Sequence, residues 1–182
     1  MTLSNARPVE ASRPLRNRLR RTIAVALRDR VAGKDNAAKA AAIWDKPGAR
    51  WFTETDPIWR VHADAAMFAA GIRALLLQSL HPLAMAGVAG HSGYKGDPWG
   101  RLQRTSTFLA TTTFGTIEDA EALIERIRGI HQGVRGKAAD GRPYAASDPH
   151  LLKWVHIAEA DSFLRTHQRY AVTPLNPAEA DR

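Results

Sequence analysis

The sequence predicts an all-α fold, a multi-helix bundle with little or no β structure. Three observations carry this reading. Apolar residues recur at the three- and four-residue spacing of a helix face, as in TIEDAEALIERIRG. No region alternates apolar and polar residues at period two for long. Helix punctuation also recurs: Asp56–Pro57, Asp148–Pro149 and Asn176–Pro177 each set a capping residue before a first-turn proline. At 182 residues the chain is long enough for one domain with a buried core.

Residues 1–15, with two prolines among mixed polar residues, read as a disordered arm. Residues 16–48 read as a basic helical extension: a helix over 16–32, then an alanine-rich helix in KDNAAKAAAIWDKPG, stopped by Pro47–Gly48. The remaining 49–182 form the expected helical domain. Asp56–Pro57 opens a helix expected to run through WRVHADAAMFAAG. A second helix, GIRALLLQSLH, is blocked by Pro82, and a short third follows in PLAMAGVAGHS. GYKGDPWG is a loop, RLQRTSTFLATTTFG a helix ended by Gly115. Thr116 with Asp119 is a capping-box variant that opens the next helix, expected to end at Gly136. KAADGRPYAASD is a loop or small hairpin turning at Asp140–Gly141, and Asp148–Pro149 opens a long helix. LNPAEADR reads as a helix start cut one turn later, so the domain is expected to be incomplete at its C-terminal end.

The net charge of +8 is uneven. Residues 1–47 hold 11 Lys/Arg against 4 Asp/Glu, and residues 48–182 hold 15 against 14. The basicity therefore belongs to the N-terminal part, either a solvated extension or a surface for peripheral contact with anionic lipid or nucleic acid. The nearly neutral globular part and the lack of a recognised motif argue against specific nucleic-acid binding. The absence of cysteine excludes disulfides, a thiolate nucleophile and cysteine metal sites, and fits a cytoplasmic protein. RRTIAVALRDR has the arginine pair of a twin-arginine leader, but its apolar run is shorter than a signal core of roughly 7–15 residues. The apolar region 63–89 is interrupted by Asp64, Arg73, Gln78, His81 and Pro82, and reads as buried core helices.

At about 100° per residue, Ile117, Ala120, Ile124, Ile127, His131 and Val134 share one narrow helix face. His131 is therefore expected to point inward with the isoleucines. Two readings are open. A core histidine would satisfy its ring nitrogens with a backbone carbonyl and a hydroxyl. A metal-binding histidine would give one nitrogen to iron or zinc and the other to an acceptor. Alone it falls short of a zinc site, but one histidine suffices for a haem, whose porphyrin supplies four nitrogens. None of the seven histidines forms an HExxH motif; a non-haem site from His62, Asp64, His81 and His91 is the alternative.

Arg101, Arg104 and Thr105 project from one helical face with Phe108 beside them. They read either as a solvated basic face or as donors for an anionic or polarised oxygen.

RALLLQSLHPLAMAGVAGHS, DPWGRLQRTSTFL, TFGTIEDAEALIERIRGIHQGVRG, DGRPYAASDPHLLKWVH and ADSFL, in that order and with these gaps, resemble the rubber-oxygenase catalytic-domain family over roughly residues 57–182. The latex-clearing proteins and the fungal oxygenase of mycophenolic acid synthesis belong to it. The resemblance implies an all-α bundle around a buried haem b pocket, and dioxygen-dependent cleavage of C=C bonds in a hydrophobic, isoprenoid-like substrate. It implies that His131, in the family's HxxVxG pattern, binds the haem iron, with Arg101 and Thr105 on the oxygen side. Arg104 stands where the latex-clearing proteins carry an iron-capping lysine, and a guanidinium stays protonated and does not ligate. The acidic base of the rubber enzymes has no identified counterpart, and the family domain continues beyond Arg182. The other function left open is a shortened, non-catalytic helical protein that binds haem or lipid.

Overall fold

The computed structural model describes residues 13–182 apart from 34 and 94. Of the arm expected over 1–15, residues 1–12 lie outside the described residues. The described residues form nine helices: α1 (Arg13–Ala32), α2 (Asn36–Trp44), α3 (Pro57–Ala63), α4 (Met67–Ser79), α5 (Pro82–His91), α6 (Pro98–Phe114), α7 (Ile117–Gly133), α8 (Pro149–Tyr170) and α9 (Pro177–Ala180). Between α7 and α8 an antiparallel hairpin pairs β1 (Arg135–Lys137) with β2 (Pro143–Ala145), Gly136 opposite Tyr144. The fold is mostly helical, as the sequence predicts, and the small hairpin turns at Asp140–Gly141, where Gly141 takes φ +84°.

Three boundaries differ from the sequence reading. The helix expected to run unbroken from Pro57 to Gly71 splits at Asp64, which leaves the helix at ψ 144°. The Asp64 carboxylate accepts the Ala66 N–H at 2.7 Å, offering the backbone a local partner in place of the helical ladder. Gly71 accordingly lies inside α4. α6 begins within the expected loop, because Asp97 Oδ1 accepts the Gly100 N–H at 2.7 Å and Pro98 fills the first turn. α7 ends at Gly133 rather than Gly136; Val134 is extended and leads straight into β1.

The core sits where α3, α4 and α8 meet. Val61, Ala70, Phe163 and Leu175 are buried together, with Met67, Leu109 and Leu164 packed against them. Arg73 bridges α4 to α8, 2.7 Å from Asp161 and donating to the buried Ser162 hydroxyl at 2.8 Å. At the other side α1 and α2 pack on α6. Arg50 ties them down: its guanidinium donates to the carbonyls of Ile43 (3.1 Å), Trp44 and Lys46 (both 2.9 Å) at the end of α2, and to Phe114 O at the end of α6. A cation there meets otherwise unpaired helix carbonyls and the negative end of the dipole. Trp44 stacks on Phe114 with ring centroids 4.8 Å apart. The basic helical extension thus packs against α6.

Among the described residues no single helix is long and apolar enough to cross a membrane; α4 and α5 pass that test only together, as a pair bent by 107°.

Candidate active site

A cavity of about 690 Å³ lies between the α1–α2 wall and helices α3, α4, α6 and α8. Its surface is overwhelmingly apolar, with Trp44, Phe68, Leu75 and Leu109 among the lining side chains. This is the size and character of a small-molecule site. Polar groups break the wall at few places, among them His62, Gln78, Thr105 and Glu159.

His62 comes from α3. Its Nδ1 lies 2.7 Å from the Thr113 hydroxyl of α6, and its ring meets Phe163 of α8 edge-on at 5.0 Å. Burial pushes its pKa down to about 4, so the imidazole is neutral at pH 7. Burial also raises the Glu159 carboxyl, against a smaller downward pull from His156. Glu159 recurs at four-residue spacing with Val155 and Phe163, which places one carboxyl on an apolar stripe of α8.

Of the residues singled out in sequence, Thr105 lines this cavity, and its hydroxyl donates to Arg101 O at 3.1 Å. Arg101 is one turn away on α6 and donates to Gln78 Oε1 at 3.3 Å; Gln78 is a wall residue. Arg104 is exposed and turns to the preceding loop, 3.6 Å from Asp97 and 3.5 Å from Ser92 O. His131 is not in the cavity wall. It sits in the last turn of α7, half-buried with Ile117, Ile124 and Ile127 on the expected stripe, around the buried Ala120. Burial lowers its pKa. Its ring makes no hydrogen bond to the described residues. The imidazole held by a hydroxyl is His62, which periodicity alone did not single out.

α6 and α7 are joined by Gly115 and Thr116, with Thr116 accepting the Asp119 N–H as the expected cap. Arg101 lies fourteen residues before Gly115 and His131 fifteen after Thr116. At ~1.5 Å per residue the two therefore sit about equally far along adjoining arms. The end of the α7 arm is fixed by the hairpin, whose Tyr144 ring lies against Gly136 of β1 and Gly87 and Gly90 of α5. His62, Asp64, His81 and His91, the alternative metal set, are dispersed. His81 Nδ1 accepts the Ala84 N–H at 3.4 Å and His91 meets Tyr144 at 6.2 Å. Among the described residues no three His, Asp or Glu side chains are arranged to hold a metal ion.

The fold and this set of groups define a helical domain with an apolar cavity whose wall carries one neutral imidazole and a few polar side chains. Residues 59–182 match the family described as ER-bound oxygenase mpaB/B'/Rubber oxygenase, catalytic domain, and the chain belongs to that family. It is thereby an oxygenase-type, oxidoreductase domain of a family that uses dioxygen with a metal or haem cofactor. No curated protein and no solved structure matches the chain. The matched span contains His62, Arg101, Thr105 and His131; the α1–α2 wall of the cavity lies outside it.

Proposed function

We propose that this chain is a haem b-dependent dioxygenase that cleaves a C=C bond of a hydrophobic, isoprenoid-like substrate. The observation that carries the reading is His131: a half-buried imidazole on an apolar stripe, without a hydrogen-bond partner among the described residues, and biased by burial toward the neutral form. That is the donor a haem iron requires from a protein. Haem b, when bound, supplies the iron that activates dioxygen. His131 would hold it through a ring nitrogen. Arg101, a permanent cation oriented through Gln78, and Thr105, in the cavity wall, are the donors on the oxygen side. The Thr105 hydroxyl donates to Arg101 O at 3.1 Å, so serving a ligand would require it to give up that bond. The apolar walls of the cavity hold the apolar chain. The sum is one C=C bond and one O₂ giving two carbonyls, with both oxygen atoms retained and no external reductant.

A second reading, an apolar-ligand binder without catalysis, is favoured by one observation: the cavity wall includes Thr105 but neither Arg101 nor His131. Under either reading α1 makes peripheral contact with anionic lipid from the cytoplasmic side. Leu19 and Ile23 of α1 are 60% and 57% exposed, one turn apart in a helix with seven arginines.

The test is reconstitution with haemin followed by dioxygen uptake and carbonyl analysis with a polyisoprenoid. Uptake coupled to carbonyl formation supports the first reading; a tightly bound apolar ligand with no uptake by haem-loaded protein supports the second.

A further inference from the structure

The Thr113 side chain is 2% exposed, and His62 Nδ1 is its hydroxyl's hydrogen-bond partner at 2.7 Å. A buried hydroxyl left without an acceptor costs on the order of 1–3 kcal/mol. The arrangement that avoids this cost has Thr113 Oγ1–H donating to Nδ1. That puts the imidazole hydrogen on Nε2. Nε2 makes no hydrogen bond to the described residues. It is not sealed in either, unlike Trp154 Nε1 and His167 Nδ1, which are buried and unpartnered. His62 is a cavity-wall residue, and Phe163 holds its ring edge-on. A fixed N–H on a mostly apolar cavity wall is therefore left without a bonded acceptor among the described residues.

We infer that His62 is the polar anchor of the cavity, its Nε2–H donating to the carbonyl oxygen of an elongated apolar ligand. An apolar chain fills the walls, and one acceptor on it answers the unpartnered imidazole N–H. A neutral donor suits a neutral carbonyl better than a carboxylate, which Glu159 in the same wall would repel if ionised. That this ligand is the reaction's own product, or a substrate already carrying a carbonyl, rests on the proposed function; the anchoring does not.

The experiment uses the full chain without dioxygen, so that it is independent of turnover. Quenching of Trp44 and Trp99, both in the cavity wall, reports binding of a prenyl methyl ketone and of a prenyl hydrocarbon of matched length. The ketone is expected to bind roughly three- to tenfold more tightly, and its bound C=O infrared stretch to shift to lower frequency. His62→Phe should bind both equally and lose the infrared shift. Thr113→Val, which frees the imidazole to change tautomer, should weaken the preference while keeping the fold. Equal binding of the two probes by the parent chain, no binding of either, or an unchanged shift in His62→Phe would overturn the assignment. A chain that shows the ketone preference yet binds no haem would sink the proposed function and leave this inference standing.

Discussion

The Tyr144 ring lies so close to Gly136 that a β-carbon on that glycine would sit 2.6 Å from the tyrosine hydroxyl. The same hydroxyl is 3.1 Å from a β-carbon built on Gly90, and the ring is 3.6 Å from one on Gly87. Three glycines thus make a slot for one aromatic ring, and the slot pins the strand that follows α7. This gives the closing glycine of HQGVRG a steric reason: it lets Tyr144 dock and thereby sets the helix end that carries His131. Gly136→Ala is expected to destabilise the chain by about 1–3 kcal/mol through overpacking, read as a lower urea midpoint with unchanged slope. In a Tyr144→Leu background the same substitution should cost much less. Additive costs would show that the ring and the glycine are not coupled.

Arg50 holds the ends of α2 and α6 together through four carbonyls. Arg50→Ala should cost about 2–3 kcal/mol, since bonds from a charged donor are stronger than neutral ones and the carbonyls lose their partner. Lysine lacks the planar fork and should recover only part of this. Because α2 walls the cavity, Arg50→Ala should also weaken apolar-ligand binding. A stability loss with unchanged ligand affinity would detach the clamp from the site.

Stability should fall as pH drops from about 6.5 toward 4. His62 has its pKa lowered from 6.5 to about 4 by burial, and His131 is lowered for the same reason. The unfolded chain then binds more protons than the folded one across this window, so stability is full above the ordinary histidine pKa and is lost as acid approaches the folded one. His62 alone is worth on the order of 2–3 kcal/mol. Glu159 opposes this, because its raised pKa favours the folded state at low pH. Urea midpoints at about pH 7.5 and 4.5 should differ in the parent and differ less in His62→Phe. Equal midpoints in the parent would mean that the ring is not desolvated.

Arg101→Ala and Thr105→Val are each expected to retain haem yet lower dioxygen uptake roughly 10²-fold, the usual effect of removing one preorganised donor. Arg104→Ala should matter less, since its guanidinium is exposed and faces Asp97. Equal losses at all three positions would return Arg104 to the site.

What was legible in the sequence was mostly local. The caps at Thr116, Asp148 and Asn176 are read within three residues of chain, and each forms as expected. Helix period alone puts His131 on the stripe of Ile117, Ile124 and Ile127, where the structure has it half-buried. The Asp64 break was missed because the apolar pattern continues across it, although its cause is two residues long. The His62–Thr113 pair joins residues 51 apart, and no local rule links them. The sequence reads the α1–α2 segment as a basic helical extension. Its role as a wall depends on distant contacts such as Gln103 Nε2 donating to Arg30 O at 3.2 Å, and Arg30 lying 5.1 Å from the Trp99 ring centre.

The most direct measurement is a haemin titration of the full chain beside His131→Ala, followed by the Soret absorbance. The expected result is saturation at one equivalent in the parent, and loss of that stoichiometric band in a variant whose far-UV circular dichroism stays helical. An identical titration in the two proteins, or none in either, would contradict iron ligation by His131.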